Sequence, residues 1–329
     1  MKNKISIIIT MTIYMVLFSS CETHELTEPN ILVPLTVTED PSLPSISLNN
    51  TLLHSETYGN PNNPMIIVLH GGPGGDYRSL LNCKDFADDG YYVVFYDQRG
   101  SGLSQRHNPN TYTVQIYTDD LDAVIEYYRQ SAEQKIIFMG HSWGAMLATA
   151  YVNQYPDRMS GLVLMEPGGF TWEVTLDYIE RSSPLELFGE ATNDYLYLDQ
   201  FITGDDHNTL DYKENLRMAV GFAEGNKTGN EGPYPFWRFG AICANATTKY
   251  AEENSFDFTT DLNQYTTKVL FAYSELNEAY GKEHAEQVSS AYPNVQLVKI
   301  NSTGHEIPYF GWDNYYPLAL AYLNEIKNN

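Results

Sequence analysis

Positive charge is scarce in this 329-residue chain: Lys and Arg number 19 against 42 Asp and Glu, a formal net charge of −23. A face that binds a phosphate backbone needs clustered cations, so the composition argues against a nucleic-acid role. The acidic surplus reads instead as a solvated surface. Cysteine is equally sparse, at 3 residues, too few for a disulfide scaffold, and neither CxxC nor a His/Cys ligand spacing occurs. No metal and no organic cofactor is implied. Aromatic residues, by contrast, reach 13% and hydrophobic residues 43%, a mix that disordered chains lack. The length suits one large α/β domain carrying an insertion.

Also missing is any apolar run long enough to span a bilayer. Lys2 and Lys4 precede a charge-free, mostly apolar stretch, Ile5–Ser20. A helix over it rises about 24 Å, short of the roughly 30 Å hydrocarbon core, so it reads as a signal-peptide apolar region. Leu17-Phe18-Ser19-Ser20-Cys21 resembles a bacterial lipoprotein signal, which implies cleavage before Cys21 and acylation of that residue. Phe18 departs from the usual aliphatic residue. Residues 22–45 are rich in Pro, Thr and Glu with no helical period, and are expected to be a tether. The implied location is the bacterial cell envelope, lipid-anchored at a periplasmic or outer-membrane face. For Cys83 and Cys243 an exported protein permits a disulfide, and two buried thiols are equally open.

Beyond the tether, short apolar runs alternate with amphipathic stretches. Met65–His70, Tyr91–Tyr96, Lys135–Met139, Gly161–Met165, Val269–Tyr273 and Val295–Ile300 read as strands. They are continuous rather than alternating, as in parallel strands covered on both faces. In Asp119–Gln130, Leu121, Val124, Ile125 and Tyr128 fall on one helical face, with Thr118 as the expected N-cap. The alternation predicts a doubly wound, mostly parallel α/β sheet with the site at the carboxyl ends of its strands. It breaks after Gly169 and resumes near Lys268. A stretch that long is not a bare loop in a compact domain, so residues 170–265 are expected to form an inserted helical cap over a core of 46–169 and 266–329.

Gly140-His141-Ser142-Trp143-Gly144 follows one strand and opens a helix, Ala145–Gln154. GxSxG in that context marks a sharp turn that projects a serine hydroxyl above the sheet. Small residues two places either side relieve crowding there, and the helix N-terminus favours developing negative charge. His70-Gly71-Gly72-Pro73-Gly74-Gly75 ends another strand, and lacks the Lys-Ser/Thr of a phosphate-binding loop. The N–H groups of Gly72 and Trp143 are assigned as donors to an oxyanion. Gly304-His305 follows the last strand, so His305 can serve Ser142 as general base and then acid. His70 and His141 are read as neighbours of the site, and His24, His54, His107, His207 and His284 as surface or tether.

HGGPGG, then Asp97-Gln98-Arg99-Gly100-Ser101-Gly102 after the next strand, then GHSWG, together resemble the proline iminopeptidase group of α/β-hydrolases. The likeness runs from about residue 50 to 165 and from 268 to the end. It implies an α/β-hydrolase fold with a helical cap and a serine mechanism that releases N-terminal residues, often Pro, from short peptides. Proteins with these motifs also include other peptidases, amidases and esterases. Asp97 and Arg99 are read as an ion-pair and turn element beneath the HGGPGG loop.

The acid departs from the family pattern, which places an Asp after the Val269–Tyr273 strand. Here Ser274-Glu275-Leu276-Asn277 puts an uncharged amide at that place. Glu166, at the end of the neighbouring strand, is the preferred replacement, as in some haloalkane dehalogenases and certain lipases. Glu275 follows, then Glu278; Asn277 with no charged partner also stays open. In the cap, Pro235–Gly240 resembles the aromatic helix of aminopeptidases, with Arg238 where a Glu is expected. Glu186, Glu190 and Glu224 are candidate ammonium anchors, and Tyr195, Tyr197, Phe201, Phe236 and Trp237 a candidate pocket wall. The expected partner is a small peptide, amide or ester. The competing classes are a carboxylesterase or amidase of this fold, and a non-catalytic binding lipoprotein.

Overall fold

Eight strands form one sheet in the order β1-β2-β4-β3-β5-β6-β7-β8. The structure is a computed structural model that describes residues 32–182, 206–220 and 226–328. Strands β3 (Met65–Leu69), β4 (Tyr92–Tyr96), β5 (Ile136–His141), β6 (Gly161–Met165), β7 (Val269–Ser274) and β8 (Val295–Ile300) are mutually parallel, as expected. Two antiparallel strands were not anticipated: β1 (Ser45–Leu48) and β2 (Thr51–Tyr58), with β2 paired to β4. Asn49 and Asn50 join them at φ 44° and 56°, the backbone a tight hairpin turn requires and asparagine tolerates.

The uninterrupted apolar strands are buried on both faces because successive side chains alternate. Ile67, Leu69, Val94, Phe138 and Leu164 pack on one side against α1 (Val114–Tyr128), α2 (Trp143–Gln154) and α6 (Gly281–Ser289). Ile66, Val68, Val93, Ile137, Met139 and Val163 pack on the other against a 3-10 segment, Tyr77–Ala87, and α8 (Trp312–Asn328), which follows the short α7 (Ile307–Phe310). Each such side chain contributes about 1.5–3 kcal/mol on burial. Cys83 and Cys243 are buried free thiols in the separate packing layers, so the pairing left open by sequence does not form.

Helix α1 begins one turn earlier than its sequence suggests. Thr113 caps it, its hydroxyl accepting from Ile116 N at 3.2 Å, and Thr118 lies inside the helix, donating to Gln115 O. The expected apolar face holds, with Leu121, Val124 and Ile125 buried. Between β6 and β7 lie α3 (Trp172–Ser182), α4 (His207–Val220) and α5 (Ala241–Asn254).

The expected tether ends sooner than residue 45. Val33, Thr36 and Val37 are buried, and Val37 N donates to Leu103 O at 2.8 Å. Arg238, only 1% exposed, donates to Pro34 O at 2.9 Å and pairs with Glu39 at 3.2 Å and Asp211 at 2.7 Å. This arginine is therefore a buried strut and not a substrate contact. Pro235–Gly240 is irregular, and the helix expected there starts only at Ala241.

Candidate active site

Strand β5 runs into Ser142 and then α2, and the turn between them is strained: Ser142 has φ 53° and ψ −121°. The strain is held by Ser142 N donating to Met165 O at 2.8 Å and by Ser142 O accepting from Ala145 N and Met146 N. Close packing also fixes the elbow. A Cβ at Gly144 would stand 2.1 Å from Leu69 O, so only glycine lets α2 approach β3. Ser142 is half-buried and opens into a cavity of about 490 Å³. Gly71, Gly72, His141, Tyr178, His305 and Glu306 line the same cavity.

Gly72, at φ 131°, follows β3. Its N–H has no hydrogen-bond acceptor among the described residues. Trp143 is the first residue of α2, so its N–H lacks an intrahelical acceptor. Gln98 locks the surrounding frame. Its N–H donates to His70 Nε2, its amide nitrogen to His70 O, and its amide oxygen accepts from Trp143 Nε1, each at 2.9 Å. The DQRGSG string thus supports the glycine loop through Gln98 more directly than through its charged neighbours. Asp97 pairs with His54 at 2.8 Å, and Arg99 makes a bidentate pair with Asp120 at 2.7 Å; they do not pair with each other. His54 and His284 are buried, against expectation, His284 Nε2 lying 2.7 Å from Gly168 O.

The loop after β8 delivers His305, whose Nδ1 lies 2.8 Å from Glu166 Oε2. Glu166 is fully buried at the end of β6, at φ 43°. Its Oε1 accepts from both the N–H and the hydroxyl of Ser274 at 2.6 Å, and its Oε2 from Asn277 Nδ2 at 2.8 Å. Asn277, where the resemblance places the acid, thus donates a hydrogen bond to the Glu166 carboxylate. Glu275 is exposed, paired with Lys299 at 2.7 Å, and Glu278 is also exposed. Burial disfavours the imidazolium of His305, but the hydrogen bond and charge of Glu166, with the charge of Glu306, outweigh it and raise its pKa. His141 is pulled down to about 3 by burial, with the positive charge of His305 adding to the effect.

Some residues at the cavity escaped the sequence reading. Glu306 is 5% exposed and pushed up to about 7 by burial. Its only sequence signal is adjacency to His305. Asp76, Glu214, Arg217, Lys249 and Glu252 also line the space, and Glu214 is buried beside Arg217. Phe236 lines the cavity; Trp237 instead packs edge-on against Tyr77 at 4.9 Å. Cys21, His24, Glu186, Glu190, Tyr195, Tyr197, Phe201 and Glu224 lie outside the described residues.

A buried carboxylate, an imidazole and a serine on a strained strand–helix turn are the parts from which nucleophilic hydrolysis is built. The comparisons agree with the architecture. A proline iminopeptidase of Thermoplasma volcanium is 24% identical over 285 residues, covering 79% of this chain and 88% of that protein. One from Xylella fastidiosa (strain Temecula1) is 37% identical over 149 residues, 44% of this chain and 45% of that protein. The crystal structure of a thermophilic esterase from Thermogutta terrifontis matches with a TM-score of 0.62 at 18% identity, covering 87% of this chain and 98% of that one. The α/β hydrolase fold model matches residues 64–311, and on that match the chain belongs to the α/β-hydrolase fold family.

Proposed function

We propose that the protein is a serine hydrolase that releases N-terminal residues such as Pro from small peptides through an acyl-enzyme. The observation that carries the reading is the 2.8 Å contact of His305 Nδ1 with buried Glu166, on a histidine that shares a cavity with Ser142. With Nδ1–H given to Glu166, His305 Nε2 keeps its lone pair and takes the Ser142 hydroxyl proton as Oγ attacks the substrate carbonyl carbon. Negative charge then moves to the carbonyl oxygen, where the Gly72 and Trp143 N–H groups receive it. Collapse breaks the C–N bond, and His305 returns the proton to the leaving amine. Water, deprotonated by the same nitrogen, hydrolyses the Ser142 ester and restores the free hydroxyl.

The peptide preference rests on the named relatives and on the lining. Asp76, Glu214, Glu252 and Glu306 line the cavity beside Arg217 and Lys249. Burial pushes Asp76 and Glu306 up to about 7 and Glu214 pairs with Arg217, so the lining gains the negative charge that suits a substrate ammonium as pH rises past neutrality. A fluorophosphonate probe should label the wild-type chain and not Ser142→Ala. Pro-, Ala- and Leu-arylamides run beside short acyl esters separate the substrate classes: turnover of esters alone removes the peptidase assignment. Absence of labelling in folded protein leaves a binding lipoprotein. We also propose that Cys21 is acylated and anchors the chain to the cell envelope. Loss of membrane fractionation in Cys21→Ala tests this.

A further inference from the structure

His141, His305 and Glu306 offer one donor atom each within 4.8 Å of one another, although 164 residues separate the two histidines. The protons on both rings are assigned by their neighbours. His141 Nε2 lies 2.8 Å from the His305 carbonyl, which can only accept, so the proton sits there and Nδ1 keeps its lone pair. His305 gives Nδ1–H to Glu166 Oε2, leaving the lone pair on Nε2. Each ring therefore donates its second nitrogen to a carbonyl or a carboxylate, the arrangement that fixes metal-ligating histidines.

The third donor has one oxygen free. Glu306 takes a side-chain hydrogen bond from Ser79, but its Oε2 is buried with no hydrogen-bond partner among the described residues, and it lies 4.0 Å from His141 Nδ1. That gap is too long for a hydrogen bond and wider than the roughly 3.3–3.4 Å between two ligands of a tetrahedral zinc with bonds of about 2.0–2.1 Å, so the carboxylate closes in by about half an ångström when an ion binds. Gly71 leaves Nδ1 uncovered on that side: a Cβ there would stand 3.3 Å from Nδ1 and 3.1 Å from Ser142 Cβ, and glycine has none. The cavity supplies the entry path.

We propose that His141 Nδ1, His305 Nε2 and Glu306 form a site for a borderline-soft divalent cation of the zinc type, and that its occupancy silences Ser142. The cation takes the lone pair that would receive the serine proton, so a bound ion and an active base are mutually exclusive. Two imidazoles and one carboxylate with an open position match the ligand preference of Zn²⁺ over Mg²⁺ or Ca²⁺. Binding stands on the donor geometry alone; the silencing rests on the hydrolase reading.

Isothermal titration of the purified chain with ZnCl₂ tests the first part. One equivalent should bind, and Glu306→Gln should weaken binding by at least about tenfold, the lower end of what even outer-shell substitutions cost. X-ray absorption of the wild-type zinc complex should show two imidazole nitrogens and no sulfur, a readout that survives if the variant fails to fold. Non-saturable binding, equal binding by the folded variant, or sulfur ligation overturns the site. Fluorophosphonate labelling tests the second part: zinc should suppress it and chelation restore it. Labelling indifferent to bound zinc refutes the silencing. Absence of labelling in metal-free protein refutes the hydrolase reading and leaves titration and absorption to decide the site.

Discussion

Replacing Glu166 by Gln should lower kcat by about 10⁴, roughly 5.5 kcal/mol of barrier, with KM little changed. The size follows from the donors around the side chain. Oε1 receives both the N–H and the hydroxyl of Ser274, so the amide oxygen of a glutamine must occupy that place. The NH₂ group then faces His305 Nδ1 and Asn277 Nδ2. A donor opposite Nδ1 forces the imidazole proton onto Nε2, where it meets the serine and cannot accept its proton. Two donors also oppose each other at Asn277, and a buried group left unmatched costs about 1–3 kcal/mol in stability. The assay is single-turnover acylation with an activated ester, read against unfolding temperature so that lost stability is not mistaken for lost catalysis. Activity within tenfold of wild type would refute the assignment of the acid. So would a large loss in Glu275→Gln, since that carboxylate is spent on Lys299 at the surface and its removal should change kcat less than twofold.

The pH profile of kcat/KM should fall on the acid side with a midpoint above the ordinary histidine value of about 6.5, because His305 is raised and its imidazolium has no lone pair for Ser142. A midpoint below that value contradicts the Glu166 contact. Asn277→Asp places a second carboxylate against Glu166 Oε2, now 2.8 Å from the amide nitrogen. One of the pair must hold a proton, its folded pKa rising above the unfolded value, so the variant's deficit in unfolding temperature should shrink as pH falls and grow as pH rises. Gly144→Ala drives a methyl group into Leu69 O and should cost about 3 kcal/mol, read as a lower unfolding temperature or loss of soluble protein. Arg238→Met removes a buried partner of Asp211 and the anchor of Pro34 O. It should cost about 3 kcal/mol or more and speed amide exchange over residues 33–39.

Much of this molecule is legible in order along the chain because its strands are buried on both faces. A parallel strand between two helical layers has to be apolar at every position, and MIIVL, YVVFY and GLVLM carry that demand without ambiguity. The β1–β2 hairpin escapes the same reading because its strands mix Ser, Thr, His and Glu among Ile and Leu. The Asn49-Asn50 turn was its one clear sign. The segment from Val33 looks like a linker by composition, yet its role depends on Arg238, some two hundred residues later, a pairing no local window reveals. His54 misleads for the same reason: nothing around it in sequence announces Asp97. Glu306 is hidden differently. Its neighbour His305 is conspicuous, but its burial against His141 comes from the turn after β5 meeting the loop after β8.

The place proposed for the acid follows from the sheet. Strands β6 and β7 are parallel neighbours with Met165 opposite Ala272, and Glu166 N continues that ladder to Ala272 O. Their carboxyl ends therefore emerge side by side, and a carboxylate on either can face the histidine after β8. Geometry alone permits both solutions; the donors decide between them. Ser274 and Asn277, both at the end of β7, aim their N–H and O–H groups at the end of β6. A carboxylate at 277 would meet Glu166 with no donor between them, whereas an amide there supplies one. In the proposed mechanism Glu166 carries the charge, and Asn277 beyond the adjacent strand donates a hydrogen bond that holds it. For that reason the uncharged residue at 277 argues for a working acid at 166, and against a scaffold that has lost its chemistry.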